Sequence, residues 1–238
     1  MAHAEFQLTD GRPKVVGSFG SLKDLCEADA REVGKSCDIA EIRLDLLAAD
    51  SGGMGAEPWR HLAGVPLLFT ARRLEEGGAL PLTAGERMKW LESALDQAAV
   101  IDLEVASIAE MATMIECLKS RHIPWIASFH DFEKLPESAV LAQAAQLAKA
   151  AGASLFKAAA RLQQPADLAR LAEFQLADHG IPVATMGMGP LAAVSRLLCA
   201  QCGSGLNYGY LGKTPTVPGQ WDAALLKLAI DRLVPFPG

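Results

Sequence analysis

Short apolar or alternating segments recur eight times along the chain, and stretches with helical periodicity lie between them. The segments span residues 14–20, 39–46, 66–73, 100–106, 124–131, 155–161, 182–189 and 206–212. Their starts are about 24 to 34 residues apart, which is the length of a strand followed by a crossover helix. Eight such units in 238 residues predict an α/β fold of the (β/α)8 TIM-barrel type.

A doubly wound open sheet is the main alternative, because it is also built from strand–helix repeats. That fold usually carries a glycine-rich G-x-G-x-x-G turn after an early strand, and the chain has no such motif. No shift in composition marks a linker, so residues 1–238 are expected to form one barrel domain. Helices are expected over residues 21–35, 85–99, 107–122 and 220–234, and the crossover at 51–64 is the least regular.

The charge balance is mildly acidic, with 22 Lys and Arg residues against 28 Asp and Glu residues and a formal net charge of −6. Because no basic run occurs, neither a nucleic-acid partner nor a membrane-surface partner is expected. No apolar stretch approaches the roughly 18 to 20 residues of a membrane span. The N-terminus also lacks the pattern of a secretory signal. We therefore expect a cytoplasmic globular protein.

The five cysteines do not indicate a disulfide framework, since their number is odd and the chain is long. Cys199 and Cys202 form one C-x-x-C pair inside an apolar helical pattern. Burial of free thiols explains that pair better than redox or metal chemistry, because no second pair with metal-ligand spacing occurs. A metal site is therefore not expected, and the chain has neither a G-x-S-x-G motif nor a P-loop.

Charged side chains alternate with apolar ones in three of the predicted strands. The charged or polar face carries Glu41, Arg43 and Asp45 in one strand, Thr70 and Arg72 in the next, and Asp102 and Glu104 in the third. A wet face of an antiparallel sheet would show the same alternation. Parallel strands are covered on both faces, however, so here the charged faces should point into the barrel. Buried ions are costly unless they are paired or do chemistry, which favours an active site.

Two further residues indicate what that chemistry is. His130 ends its strand, the place where barrel enzymes carry catalytic groups, although such a histidine can also be structural. Lys157 lies in an apolar strand, where loss of solvation lowers the pKa of an amine and makes it a nucleophile toward carbonyl groups. The remaining histidines are expected at the surface, and they are His3, His61, His122 and His179.

Seven fragments occur in an order and spacing that resemble the type I 3-dehydroquinate dehydratases. They are EIRLD, LFTARRLEEGG, IDLE, SFHDF, the strand lysine Lys157, MGMGPLAAVSRL and TVPGQ, and together they run from about Pro13 to Leu228. The resemblance implies a (β/α)8 barrel, a homodimer, and no metal or organic cofactor. It also implies dehydration of the small molecule 3-dehydroquinate to 3-dehydroshikimate in the shikimate pathway of aromatic amino-acid biosynthesis.

The resemblance further assigns roles to residues of this chain. Lys157 matches the lysine that forms a Schiff base with the substrate ketone, His130 the acid–base histidine, and Glu76 the carboxylate that orients this histidine. The matching substrate-binding residues are Glu41, Arg43 and Arg72 for the ring hydroxyls, Arg196 and Gln220 for the carboxylate, and Ser18 and Thr216 as further polar contacts. Thr216 departs from the family pattern, in which a serine is usual in this loop.

Two other functions remain open from the residues alone. A class I aldolase also uses a lysine imine in a barrel, and many aldolases bind phosphate near strands seven and eight. The inward arginines and carboxylates suit a polyhydroxy acid better than a phosphorylated sugar. A catalytically silent binding protein is the second alternative, but a binding protein has no need for the nucleophilic amine of Lys157.

Overall fold

Strands and helices alternate along the chain in the computed structural model, which describes residues 7–52, 57–213, 215–217 and 219–234. The strands within these residues are β1 (Lys14–Phe19), β2 (Ile39–Arg43), β3 (Leu67–Thr70), β4 (Ala98–Glu104), β5 (Trp125–Asp131), β6 (Leu155–Arg161), β7 (Val183–Met188) and β8 (Leu206–Leu211). The α-helices are α1 (Leu22–Glu27), α2 (Ala30–Ser36), α3 (Leu44–Ser51), α4 (Ala84–Ala94), α5 (Ala112–Ser120), α6 (Ser138–Ala150), α7 (Pro165–Leu176), α8 (Ala192–Gln201) and α9 (Ala223–Ile230).

All paired strands run parallel, in the order β7-β6-β5-β4-β3-β2-β1-β8. Since β1 pairs with both β2 and β8, the sheet curls until β7 and β8 become its two facing edges. A backbone bond from the Gly205 N–H to the Val183 carbonyl, 3.1 Å long, joins these edges near their N-terminal ends. The predicted (β/α)8 barrel is confirmed.

Side chains from the helices complete the seam between β7 and β8. Gln175 of α7 accepts the backbone N–H of Thr185 at 3.1 Å. Arg196 of α8 reaches both strands, because its Nε donates to the Tyr208 carbonyl at 2.8 Å and its Nη1 to the Gly187 carbonyl at 3.1 Å. These contacts satisfy buried backbone groups that have no partner in a strand ladder.

The barrel interior is apolar at one end and charged at the other, because side chains two residues apart in a strand share a face. The apolar layer includes Val16, Ile39, Leu68, Val100, Ile126 and Leu155. Two residues further along the same six strands come buried polar side chains, and these are Ser18, Glu41, Thr70, Asp102, Ser128 and Lys157. Strand register brings them side by side, as in the pairs Thr70↔Asp102 and Ser128↔Lys157. The charged layer therefore lies toward the C-terminal ends of the strands.

The segment predicted as one helix over 21–35 consists of two helices that are separated at Ala28 and Asp29. Ala28 is extended, with a ψ of 137°. The Asp29 carboxylate then accepts the backbone N–H groups of Arg31 and Glu32, each at 3.0 Å, and so caps a new helix. The prediction of a single helix is wrong because this cap interrupts the apolar periodicity.

The second strand is shorter than its predicted segment, 39–46, because α3 begins directly after Arg43. Asp45 therefore leaves the strand, yet its carboxylate stays fully buried and accepts Nε and Nη2 of Arg43 at 2.9 and 2.7 Å. The same carboxylate accepts the backbone N–H groups of Arg72 and Ala79. Asp45 thus joins the segments that follow β2 and β3 instead of pointing into the barrel as a strand residue.

The other predicted helices are present but shorter. They appear as α4, α5 and α9, and the irregular crossover at 51–64 has a single 3-10 turn, Arg60–Leu62, within its described part. None of the helices in the described residues is long and apolar enough to cross a membrane. The expectation of one domain over 1–238 includes positions 1–6, 53–56, 214, 218 and 235–238, which lie outside the described residues, and it stays a prediction.

Candidate active site

Lys157 lies at the centre of the charged layer with 4% of its surface exposed. Its Nζ atom is 3.2 Å from Oδ2 of Asp102 and 4.1 Å from the centroid of the Tyr208 ring. Burial lowers the pKa of Lys157 below its ordinary value; Asp102 opposes this shift, and the Arg72 guanidinium adds to it. The site therefore favours the uncharged, nucleophilic amine more than water does.

Asp102 stays ionised beside that lysine. Burial alone would raise the pKa of Asp102, but the Arg72 and Lys157 cations hold it well below its ordinary value. Nη1 of Arg72 lies 3.0 Å from Oδ1 of Asp102, and the Ser128 hydroxyl donates to the same oxygen at 2.6 Å. Asp102 thus contacts two cations at once. It holds the Lys157 side chain in position, but its negative charge compensates that of Lys157 only in part, because Arg72 shares it.

The ion pairs continue outward from Arg72 to a helix. Arg72 also pairs with Glu104 at 3.0 Å, and Glu104 accepts Nη1 of Arg87 at 2.7 Å. Arg87 belongs to α4, has 2% of its surface exposed, and pairs in turn with the half-exposed Glu110. Arg87 could not be recognised from the sequence, because a helix position carries no strand alternation that would mark it as facing the charged layer.

His130 lies on β5, beside Lys157's strand and two residues beyond Ser128, the register partner of Lys157. Its Nδ1 atom is 3.0 Å from Oε2 of Glu76. The neighbouring Asp131 turns away and accepts the backbone N–H groups of Glu133 and Lys134. Glu76, and not the neighbouring Asp131, therefore contacts the His130 ring, and the orienting role assigned to Glu76 stays a prediction.

The protonation of this pair follows from its burial. Loss of solvation moves the pKa of His130 well below its ordinary value, and the Arg72 and Lys157 cations add to the effect. Burial also raises the pKa of Glu76 to about 7. The resting histidine is therefore neutral, with Nδ1 directed at Glu76. Its Nε2 atom has no hydrogen-bond partner among the described residues and is free to accept a proton.

Two glycines shape the turn that carries Glu76. Gly77 follows the 3-10 turn Leu74–Glu76 with a φ of 85°, a left-handed conformation that side chains disfavour. A Cβ atom on Gly78 would collide with the backbone carbonyl of Arg72. The Glu-Gly-Gly sequence therefore lets the chain fold back closely enough for Glu76 to reach His130.

Glu41 is held in place from both sides of its strand. It accepts hydrogen bonds from the hydroxyl groups of Ser18 and Thr70, the latter at 2.9 Å. Arg43, further along the same strand, is held by Asp45 and also donates to the Gly77 carbonyl at 3.1 Å. Glu41 and Arg43 are thus rigid polar groups near the C-terminal end of the barrel.

Arg196 differs from the other buried arginines of the described residues because no carboxylate lies within ion-pair distance. It has 1% of its surface exposed and donates only to backbone carbonyls, those of Tyr208, Gly187 and Ala192. Burial lowers its pKa to about 10. By contrast, Arg43, Arg72 and Arg87 each pair with at least one carboxylate. The positive charge of Arg196 is therefore buried without a compensating carboxylate among the described residues.

The loop after β8 places Gln220 and Thr216 together. Oε1 of Gln220 accepts the backbone N–H of Thr216 at 3.0 Å and its hydroxyl at 2.8 Å. The amide N–H groups of Gln220 have no partner among the described residues and remain available as donors. Thr216, the residue that departs from the family pattern, thus binds the carbonyl oxygen of the Gln220 side-chain amide.

Tyr208 is a second residue that the sequence analysis did not select. Its strand reads LNYGYL, and alternation places Leu206, Tyr208 and Tyr210 on one face, so the strand pattern already indicated that Tyr208 faces the barrel interior.

Of the other histidines, His61 and His122 are exposed as expected, and His3 lies outside the described residues. The surface expectation is wrong for His179, whose ring is buried, stacked on Phe174 and 2.8 Å from that residue's carbonyl.

No group of three or more His, Cys, Asp or Glu side chains in the described part of the chain is arranged to hold a metal ion. Cys199 is buried and Cys202 half-buried, and both are free thiols. Burial raises the pKa of Cys199 to about 11, which keeps it a protonated, unreactive thiol. The absence of a cofactor stays a prediction.

The sequence of this chain is similar to those of known proteins over most of its length. A sequence model described as type I 3-dehydroquinase matches residues 20–232. The 3-dehydroquinate dehydratase of Methanocella arvoryzae is 32% identical over 213 residues, which are 89% of this chain and 92% of the relative. The catabolic 3-dehydroquinate dehydratase of Acinetobacter baylyi is 30% identical over 224 residues, which are 90% of this chain and 82% of the relative.

Solved structures agree in fold. The crystal structure of 3-dehydroquinate dehydratase from Geobacillus kaustophilus superposes with a TM-score of 0.81 at 24% identity and covers 92% of this chain and 90% of its own. The type I enzyme from Clostridium difficile also gives a TM-score of 0.81, at 23% identity, and covers 97% of this chain and 96% of its own. The chain therefore belongs to the type I 3-dehydroquinase family, and it is a hydro-lyase with the 3-dehydroquinate dehydratase activity of that family.

Proposed function

We propose that this family member converts 3-dehydroquinate to 3-dehydroshikimate through an imine on Lys157, with His130 as the acid–base group. The uncharged Lys157 amine adds to the ring ketone, and loss of water gives a protonated imine. Its positive charge withdraws electrons and acidifies the adjacent C–H bond. Removal of that proton, departure of the β-hydroxyl as water and hydrolysis of the imine complete a net loss of one water.

The observation that carries the proposal is the position of Lys157. Its amine is buried between an acid it shares with Arg72 and the face of an aromatic ring. A lysine that only neutralised Asp102 would be redundant, since Arg72 already contacts that carboxylate at 3.0 Å. The lowered pKa of Lys157 gives the free amine that imine formation requires.

The geometry around His130 supports its role as base and then acid. In the neutral ring, Nδ1–H donates to Glu76 and Nε2 is left to accept the substrate proton. The imidazolium that forms lies against the Glu76 carboxylate, which stabilises it, and can then protonate the leaving hydroxyl. Because Glu76 contacts the histidine, its role in this proposal is that of a positioning residue.

The substrate is a polyhydroxy carboxylate, and the polar residues of the barrel suit it. The uncompensated guanidinium of Arg196 and the free amide N–H groups of Gln220 are the donors proposed for the carboxylate. The ring hydroxyls are assigned to residues whose side chains line the charged layer or its rim, and these are Ser18, Glu41, Arg43, Arg72 and Thr216.

The proposal is tested by following the conjugated enone of the product by ultraviolet absorbance. Wild-type enzyme should form the conjugated product from 3-dehydroquinate, whereas Lys157→Met should lose nearly all turnover and keep its circular dichroism spectrum. Lys149→Met, which removes an exposed lysine near the end of α6, is the matched control and should retain full activity. Turnover by Lys157→Met at the control rate would exclude the imine.

We also propose that the chain acts as a homodimer of single-domain subunits in the cytoplasm. This assignment rests on its resemblance to the family. Sedimentation equilibrium of the purified chain tests the dimer, since a molecular mass equal to the 25.2 kDa of one chain at micromolar concentration would contradict it.

A further inference from the structure

Tyr208 packs against the amine of Lys157 inside the barrel. It lies on β8, belongs to the apolar cluster inside the barrel, and has 4% of its surface exposed. The Lys157 Nζ atom lies over the face of its ring, 4.1 Å from the centroid. A cation at this distance is attracted by the negative face of an aromatic ring.

The phenol hydroxyl does not hold this ring in position. It is buried and has no hydrogen-bond partner among the described residues. What fixes Tyr208 is its backbone, because its carbonyl accepts Nε of Arg196 at 2.8 Å and β8 pairs with β1 in the register Val16↔Tyr208. A phenylalanine at this position would therefore keep the ring and lose no hydrogen bond to the protein.

The position of Nζ determines where the reaction's positive charge appears. In an imine on Lys157 the substrate carbon is bonded directly to Nζ, so the protonated imine also lies against the Tyr208 ring. The titratable groups that act on Nζ from the other strands are the charged Asp102 on β4, Arg72 after β3 and Glu41 on β2, together with the neutral His130 on β5. Asp102 also pairs with Arg72, so its charge is not fully available to the imine. The Tyr208 ring can stabilise the protonated imine without weakening that ion pair.

We propose that Tyr208 is a further catalytic residue, whose ring face stabilises the positive charge of the protonated imine formed on Lys157. The inference rests on the proposed function, since it requires an imine at this amine. It adds no bond-making step and needs no additional reactant. The ring contributes its electrostatic potential, and the hydroxyl is dispensable for this effect.

The experiment replaces Tyr208 by phenylalanine and by mono-, di- and trifluorinated phenylalanines in the full chain. Fluorine withdraws electron density from the ring face and changes the volume only slightly. Both kcat and the fraction of Lys157 trapped by borohydride with 3-dehydroquinate are measured for each variant. Relative to Tyr208→Phe, which keeps the ring face, each added fluorine should lower both quantities, and Tyr208→Leu should lower kcat roughly 10-fold.

Two results would overturn the inference. One is a fluorinated series with constant kcat and constant trapping, which would mean that the ring only fills space. The other is a Tyr208→Phe variant as impaired as Tyr208→Leu, which would transfer the effect to the hydroxyl. If Tyr208→Leu does not fold, the fluorinated series alone decides. Failure of the proposed function is a separate outcome, because wild-type Lys157 would then not be trapped at all.

Discussion

Oε2 of Glu76 accepts two hydrogen bonds from one residue, since it lies 3.0 Å from Nδ1 of His130 and 3.0 Å from the backbone nitrogen of the same histidine. The carboxylate therefore fixes both the ring and the main chain at the end of β5. Because Nδ1 is directed at Glu76, the tautomer that leaves Nε2 free is the favoured one. Glu76 and His130 act as a unit, and removing either partner should change the proton affinity of the other.

We expect His130→Ala to form the imine slowly and then to accumulate it. The variant retains Lys157 but lacks the group that moves protons in the elimination and in hydrolysis of the imine. General acid–base catalysis is typically worth about 10² to 10⁴ in rate, so turnover should fall at least that much. Intact-mass spectrometry should detect substrate or product bound to Lys157 without borohydride. An active His130→Ala variant with no adduct would contradict this assignment.

Replacing Glu76 by glutamine should make the free energy of unfolding fall as the pH is lowered, relative to wild type. Burial moves the pKa of His130 well below 6.5 and that of Glu76 to about 7, from an ordinary value of 4.5. Between about pH 5 and 6, the unfolded chain carries a proton on His130 and the folded chain carries one on Glu76. The proton counts are equal, so this pair contributes little slope to the free energy of unfolding in the wild type.

In Glu76→Gln only the unfolded chain binds that proton, through His130. Only wild type takes up a compensating proton on Glu76, so the unfolding free energy of the variant should fall, relative to wild type, by about 1.4 kcal/mol for each pH unit between about pH 7 and 4.5, the folded and unfolded pKa values of Glu76. Urea denaturation of both proteins at pH 7, 6 and 5 measures this difference, in which all other titrating groups cancel. Glu76→Asp, which keeps a carboxyl group, is the control. Parallel pH curves for wild type and Glu76→Gln would show that folding does not raise the pKa of Glu76.

Arg196 is expected to recognise the carboxylate of the substrate. Removing a desolvated, charge-assisted contact commonly costs about 2 to 5 kcal/mol, so Arg196→Ala should lose much of its kcat/KM. Because Arg196 also bridges β7 and β8, the variant should be less stable as well, and activity alone is ambiguous. The decisive quantity is the ratio of kcat/KM for 3-dehydroquinate to that for its carboxamide analogue. This ratio should be large for wild type and fall toward one in Arg196→Ala, and an unchanged ratio would exclude Arg196 as the carboxylate-binding residue.

Strand periodicity was sufficient to predict the barrel and much of the charged layer. The alternation of Glu41 with Ile42, and of Asp102 with Leu103, places the charged side chain inside the barrel whenever the apolar one packs against helices. Lys157 could be selected because a lysine in an apolar strand has no packing explanation. These inferences depend only on neighbouring residues in the sequence.

The features that the sequence analysis missed depend on contacts between distant segments. Arg87 reaches Glu104 from a helix, and Asp45 leaves its strand because Arg43 and two loop N–H groups bind its carboxylate. His179 is buried because the Phe174 ring and carbonyl accommodate it at the end of α7. Periodicity within one segment cannot show which partner a side chain will meet from another segment, so these positions required the three-dimensional structure.

The assignment of Lys157 as the nucleophile is tested most directly by locating the covalent bond between enzyme and substrate. Wild-type enzyme incubated with 3-dehydroquinate and sodium borohydride should gain the mass of one reduced ligand per chain and lose activity. Proteolysis and tandem mass spectrometry should then map the label to Lys157, and Lys157→Met should remain unlabelled. A label on another lysine, or full inactivation without any label, would contradict the assignment of Lys157 as the nucleophile.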